Sequence, residues 1–542
     1  MATYIRANAW NNGGTFANTD LLWYAKGVGE MQARELNDTS SWWFFAAIHG
    51  EYVSASGFPG WGSLPAPPPV PTTPRPSTRV SDKYWDQCQH QSWYFPPWHR
   101  GYLIALEAQI RASVISLGGP STWALPYWNY LRPGDEFNIP PAFTQQNLPD
   151  GTPNPLYVAA RYGPDNNGNI YVPTPAAIQQ HPNDPNFVYG QVTEDCLSND
   201  LYTGNDAVTS PPGFGGPATG FSHGGGTSGN IESNPHNLVH VYVGGNAPDG
   251  QSYGLMSDPG LAALDPIFYL HHANIDRMWA VWNTNSSNIN PTDPNWLNGP
   301  AAVGEPVFVM PMPDGSAWVY TPQQMNRLSQ LNYTYDSLPT SAPAPPTGLS
   351  AQENLLAQRL TRLGATAAAA KVKEGAIVTA GKNLELVGAN QEALPIEGSG
   401  ASTSVRLDAG VREKVSASIA EVSETSPPDR VFLNLENVRG THDAAALSVF
   451  INLPEGAKPS DHPDLLAGSV GLFGLRRASL KDDKHAGQGL NFVLDITKII
   501  DALHLKNALD VDSVKVRIVP HHAIPDQAKI TVGRISIYRQ GH

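Results

Sequence analysis

Histidine is concentrated where it could bind metal. The run from His90 through Pro97 and His99 to Arg100, the pair His236 and His240, and the neighbours His271 and His272 downstream of Asp265 and Pro266 carry most of the reactive side chains. Two imidazoles four residues apart share one face of a helix and can grip a single ion, which is the spacing of His236 and His240. Pro97 suits a helix start, and positions 99, 103, 106 and 110 then line one face, so His99 points the same way as Leu103, Leu106 and Ile110. Asp265 followed by Pro266 reads as the cap and first turn of a third helix, which brings His271 and His272 inward. Imidazole clusters without a carboxylate or thiolate at ligand spacing fit a borderline metal, copper or zinc. The His-Glu-x-x-His pattern of many zinc hydrolases does not occur.

Holding such residues at fixed positions needs a sizeable core, and 542 residues suffice for two or three units. From 1 to 336, short helical patterns alternate with long loops rich in Pro, Gly and Asn, among them 58–77 and 133–185. Segment 337–401 reads as a Pro/Ala-rich linker with a short helix over 351–363. Beyond 402 the runs 430–435, 447–453, 514–519 and 529–538 alternate β-branched with polar residues, which predicts antiparallel strands. The fold class expected is therefore a mainly α unit followed by an all-β, sandwich-like unit over 402–542.

The net charge of −14, with no Lys/Arg cluster, argues against a nucleic-acid partner. No apolar run is long enough for a bilayer, and the first residues lack a secretion pattern, so a cytoplasmic location is expected, with export through a partner as an alternative. Two cysteines, Cys88 and Cys196, exclude a disulfide framework. The 14 Trp and 20 Tyr crowd into the first half, where they could wall an apolar pocket for a small aromatic molecule.

The segments His90 to Glu107 and Asp265 to Asp276 resemble, over their whole length, the two copper signatures of type 3 copper proteins: tyrosinases, catechol oxidases and molluscan haemocyanins. Ala46 to Gly50 and Leu125 to Asn129 are similar to further family segments. The resemblance implies a four-helix bundle around a dicopper site, with two copper ions per chain and dioxygen as co-substrate. Copper A would be bound by His49, His90 and His99, and copper B by His236, His240 and His272; helix periodicity alone places His271 as well as His272. It also implies a thioether between Cys88 and His90. Arg100 and Asp276, of opposite charge on different helices, could pair and tie the copper halves together.

Glu232 and Asn237 stand where tyrosinases have the glutamate and asparagine that hold a water as base for the phenol proton. At the position of a bulky phenylalanine in plant members stand Pro259 and Gly260, which implies an open entrance. The function implied is ortho-hydroxylation of monophenols and oxidation of o-diphenols to o-quinones. The alternatives are a catechol or o-aminophenol oxidase with little activity on monophenols, or a haemocyanin-like oxygen binder. The partners expected are small phenols, with a homo-oligomer or a copper-delivery protein as further possibilities.

The C-terminal third resembles the C-terminal domain of long plant polyphenol oxidases. Tyr333 and Tyr335 match the Tyr-x-Tyr pair that closes the catalytic domain there, with Arg6 as partner. That resemblance implies a lid that shields the copper site, plugged by an apolar residue such as Leu453 or Phe473. Gly220, Ser222 and Gly224 fit G-x-S-x-G, but the pattern overlaps the run His223 to Gly226 and no strand precedes Ser222, which speaks against a serine hydrolase.

Overall fold

The computed structural model describes residues 4–541 except 51, 54–69, 164–169, 181–190, 205–210, 223, 248–251, 339–350, 364–382, 421–427, 482–486 and 507–511. Much of the loops expected over 58–77 and 133–185, and most of the linker, therefore lie outside the described residues. Among the described residues no helix is long and apolar enough to cross a membrane.

Five helices frame the N-terminal unit. α1 (Thr19–Gln32) starts at Asn18, whose side chain accepts from the Asp20 amide, and α2 (Trp42–His49) at Ser41, whose side chain accepts from the Phe44 amide. Every residue of α2 is buried, as expected of a helix apolar all round. α3 (Phe95–Ser116) carries Pro96 and Pro97 in its first turn, where their missing N–H groups would have had no helical partner. A π-helical turn, Glu232–Asn237, kinks at Asn234 and leads into α4 (Leu238–Gly244). α5 (Ile267–Trp282) begins where the Asp265 carboxylate accepts from the Ile267 amide at 3.0 Å, as the spacing predicts.

The start and the end of this unit are sewn together. Strand Tyr4–Arg6 pairs in parallel with strand Tyr333–Tyr335. Arg6 is fully buried and donates to Glu107 at 2.7 Å, to Asp276 at 3.1 Å and to the Tyr335 hydroxyl at 3.0 Å. Asp276 also accepts from Tyr333 at 2.6 Å, from Tyr335 and from Arg100. The expected Arg100–Asp276 pair thus forms inside a larger network.

The C-terminal unit is one curled sheet rather than two stacked ones. Its strands run in the order Leu466–Gly471, Ala446–Ile451, Ser513–Pro520, Ala401–Leu407, Asn383–Ala389, Ile530–Gly541, Arg430–Arg439 and Leu490–Asp495, with Leu394–Ile396 also on Ile530–Gly541. All these pairings are antiparallel. The two edge strands approach closely, for a Cβ on Gly468 would lie 3.0 Å from Leu494. Opposite faces of the curl thereby enclose a single core. Strands Asn383–Ala389 and Leu394–Ile396 lie in the segment expected to be linker. The short helix expected there is found at Ala351–Arg362.

Several ties join the units, two of them through the sheet edge and the helical core. Strand Gly226–Thr227 of the first unit adds in parallel to Leu490–Asp495 of the sheet. Phe473, although C-terminal in sequence, belongs to the core of the helical unit.

Asp276→Ala would remove the carboxylate that Arg100 pairs with in the core and leave Arg6 to Glu107. Breaking a buried pair in this way costs about 3–5 kcal/mol, and urea unfolding of the variant should show a loss of that size. A cost no larger than that of an exposed ion pair, under about 1 kcal/mol, would contradict the role given to this network.

Candidate metal centre

His49 is the last residue of α2, His90 lies on the segment before α3, and His99 sits in the first turns of α3. His236 lies near the end of the π-helical turn, His240 follows on α4, and His271 and His272 lie on α5. All seven are buried. Ligand-capable atoms of His49, Cys88, His90 and His99 lie within 4.8 Å of one another, and so do those of His236, His240, His271 and His272. The groups adjoin: the His99 and His272 rings stack with centroids 4.4 Å apart and planes 11° apart.

Fixed oxygens orient the rings. His49 Nδ1 is 2.9 Å from the Pro259 carbonyl, His99 Nδ1 is 2.8 Å from that of Phe95, and His240 Nδ1 is 2.7 Å from that of Met256. His236 Nδ1 lies 2.9 Å from Asn237 Oδ1. Oxygens of this kind only accept, so Nδ1 carries the hydrogen and Nε2 is left with a lone pair.

The Nε2 atoms of His236 and His240 lie 3.3 and 3.4 Å from His272 Nε2. Three nitrogens at these separations hold at most one hydrogen between them, so lone pairs face each other. Nitrogens sharing one ion at about 2.0–2.1 Å in tetrahedral geometry stand ~3.3–3.4 Å apart, so the donor set fits a metal. Of the pair on α5, His272 is the one whose Nε2 meets those of His236 and His240. His271 stacks on the face of His236, with centroids 5.3 Å apart and planes 24° apart. Burial also keeps the imidazoles neutral, as ligands must be: it pushes His99, His240 and His272 well below their usual range and His236 to about 3.

Cys88 Sγ stands 3.5 and 3.7 Å from the two ring nitrogens of His90 and 3.3 Å from His99 Nε2. It thus borders the ring to which the resemblance would join it. Burial raises its thiol well above the usual range.

Glu232 is fully buried and accepts from the Gln91 amide at 2.9 and 3.0 Å and from Gln91 Nε2 at 3.2 Å. Burial pushes its carboxyl up to about 8, against the lowering effect of hydrogen bonds from Gln91, Ser228 and Gly229. Asn237 Nδ2 donates to Ser228 Oγ at 3.4 Å, so Ser228 links both proposed water-holding residues. Neither Gln91 nor Ser228 has a spacing that points to this role. Proximity to His90 was the only signal for Gln91.

Pro259 and Gly260, expected at the entrance, lie beneath the C-terminal unit, where a Cβ on Gly474 would come 3.4 Å from Pro259 Cγ. Both are buried, and Pro259 offers its carbonyl to His49. Gly50 lets α2 end against them, since a Cβ there would lie 2.6 Å from Pro259 O and 2.7 Å from Gly260 Cα.

Over the histidines lies Phe473, stacked on His240 with centroids 4.0 Å apart and planes 21° apart, and 5.7 Å from both His90 and His236. Leu453 is elsewhere, packed with Phe450 and Val519. The segment bearing Phe473 is latched by Arg476, which donates to Asp258 at 3.1 Å and, through its backbone amide, to Asp443 at 2.7 Å. Arg477 adds an ion pair with Asp86 at 2.6 Å. Burial and then the charge of Asp258 raise Asp443 to about 7. Ser222 lies in a loop and accepts from the His90 amide through its carbonyl, while His223 falls outside the described residues.

Residues 39–285 match the common central domain of tyrosinase, and residues 383–540 match a domain of unknown function (DUF7868). Tyrosinase HcTyr1 of Hahella sp. (strain CCB-MM4) is 30% identical over 536 residues, 96% of this chain and 97% of that protein. The chain belongs to the tyrosinase family. Aureusidin synthase of Antirrhinum majus is 31% identical over 219 residues, 39% of this chain and 35% of that protein. The fold is shared over 100% of the chain with latent apple tyrosinase (98% of that structure, TM-score 0.56, 22% identity) and with latent aurone synthase (90%, 0.57, 19%). In this tyrosinase-family chain the two histidine groups form the dicopper site, and dioxygen is the co-substrate. The chain is accordingly a copper-dependent oxidoreductase of the polyphenol oxidase class.

Copper analysis of single variants checks the ligand choice on α5. His272→Ala should reduce bound copper to about half the wild-type content, the loss of one ion of a pair, while His271→Ala should retain it. Equal losses in both variants would bring His271 into the ligand set.

Proposed function

We propose that the chain is a latent tyrosinase-type polyphenol oxidase that converts a monophenol and dioxygen to an o-quinone and water, and oxidises o-diphenols at the same site. The observation that carries latency is Phe473, an aromatic ring stacked on His240 at 4.0 Å in the space a phenol would need. Arg476, Arg477 and the strand pairing of Gly226–Thr227 hold it there.

Copper, when bound, supplies the electron transfer to dioxygen and polarises the bound phenol oxygen. The chain's own residues do the rest. The carbonyls of Pro259, Phe95 and Met256 and the Asn237 amide keep the rings in one tautomer. Phe268, whose ring centroid is 4.7 Å from that of His49 and 4.2 Å from that of His272, excludes water between the two halves. Glu232 is the base that takes the phenol proton through a water. It acts in its ionised form, which burial opposes and the neighbouring copper charge favours.

A second reading has its own support. Asn237 Oδ1 is engaged by His236 Nδ1, so Asn237 keeps only its NH2 group to hold a water, which favours an oxidase of catechols or o-aminophenols.

Two variants of the full, copper-loaded chain test these points. Phe473→Ala should raise catechol turnover about tenfold, the weight of removing a contact near 1.4 kcal/mol; turnover equal to wild type would count against the plug. In the Phe473→Ala background, Glu232→Gln should lower the ratio of monophenol to catechol turnover roughly 100-fold, the lower end of what a positioned base contributes. An unchanged ratio, or no monophenol turnover even with Glu232 intact, would leave the catechol oxidase reading.

A further inference from the structure

Beside Ser228 and Gly229, the residue after His90 holds Glu232 in position through its main chain and its side chain. The Gln91 amide donates to both carboxylate oxygens, at 2.9 and 3.0 Å, and its side-chain Nε2 donates to one of them at 3.2 Å. Gln91 is buried, and its φ of 50° lies in the left-handed region that a side chain of this size rarely adopts. Such a conformation persists only where the surroundings over-determine it. Here it lets one residue turn its main chain and its side chain on the same carboxylate.

The other end of the side chain faces the C-terminal unit. Gln91 Oε1 accepts from the Gly225 amide at 3.1 Å. The next amide, Gly226, donates to the Gly489 carbonyl at 3.0 Å, where the parallel pairing with Leu490–Asp495 begins. A single buried carboxamide therefore lies between the Glu232 carboxylate and the loop that the C-terminal sheet captures.

We infer that Gln91 is a positioning residue for Glu232 and sets the ratio of monophenol to catechol turnover through it. This rests on the reading of Glu232 as the base for the phenol proton. A catechol does not call on that base for hydroxylation, so a displaced carboxylate lowers monophenol turnover more than catechol turnover. The same carboxamide holds Gly225, so its removal also frees an amide hydrogen in the metal-free chain.

The test uses the full chain carrying Phe473→Ala, so that substrate enters. Gln91→Met keeps the length and removes the carboxamide. Gln91→Gly removes it and suits the left-handed backbone, which guards against misfolding of the first variant. Both should lower the ratio of monophenol to catechol turnover about tenfold, the scale of one hydrogen bond to a charged group. Both should also speed hydrogen exchange at the Gly225 amide, measured without copper. Monophenol and catechol turnover falling in parallel, or a ratio at the level of the parent, would overturn the inference. Glu232→Gln separates the two layers. If it lowers the ratio and the Gln91 variants do not, only the role of Gln91 fails; if it leaves the ratio unchanged, the base reading fails and the role of Gln91 with it.

Discussion

A buried imidazole that gives its Nδ1 hydrogen to a fixed oxygen keeps only a lone pair at Nε2, and lone pairs aimed at one point repel unless a cation lies between them. His236 and His240 aim two such Nε2 atoms at His272 Nε2, 3.3 and 3.4 Å away. Burial prevents relief by protonation, because an imidazolium there would lack solvent and adjoin other rings. The helical unit therefore has its packing organised around a charge it does not itself supply. α2 is apolar on every side because it must carry His49 through the interior, and Gly50 ends it because the Pro259 carbonyl has to come within reach of the His49 ring.

Rings held this rigidly need a rigid frame, and a second buried group supplies it. Asp276, four residues after His272, collects Arg6 from the chain start, Arg100 beside His99, and Tyr333 and Tyr335 from the end of the unit. The carboxylate stays ionised because Arg100 and then Arg6 outweigh the cost of burial. Such a cluster adds little net stability over an apolar core, but breaking it is expensive, so it specifies one arrangement of α3 against α5. The spacing between the two histidine groups is inherited from that arrangement.

These two features were legible to different degrees. The histidines on α3, α4 and α5 were visible because helix periodicity and the Pro and Asp starts are local signals, and the Arg100–Asp276 pair followed from opposite charge beside ligands. His49 had no local signal, since an all-apolar helix has no face to point from, and only family resemblance marked it. His271 and His272 are equivalent in helical phase; their difference lies in which ring meets the other two Nε2 atoms, a tertiary fact. In the C-terminal unit, four long strands showed alternation. The strands at Asn383–Ala389, Leu394–Ile396 and Leu466–Gly471 did not, being short, interrupted by Pro or Gly, or partly exposed at an edge. The curl of the sheet depends on how its edges meet, which no single segment encodes. Resemblance marks Pro259 only as a position in a loop, whereas its carbonyl contact with His49 and the segment above it, where a Cβ on Gly474 would lie 3.4 Å from its ring, belong to the folded chain.

That cover shows how the two units constrain one another. Phe473 offers the metal centre a flat aromatic ring at the distance and tilt of a stacked pair, so the C-terminal unit gains its contact by presenting the same kind of surface that a phenol presents. An apolar plug of another shape would fill space without using the imidazole face. The ring is held through contacts of a different kind: Arg476 shared between Asp258 and Asp443, Arg477 on Asp86, and two residues of backbone pairing at Gly226–Thr227. Asp258 is one residue from Pro259, which steers His49, and Gly226 is one residue from Gly225, which holds Gln91. Two of these contacts therefore end beside residues that orient the metal centre, so the unit that covers the histidines also braces the geometry beneath it.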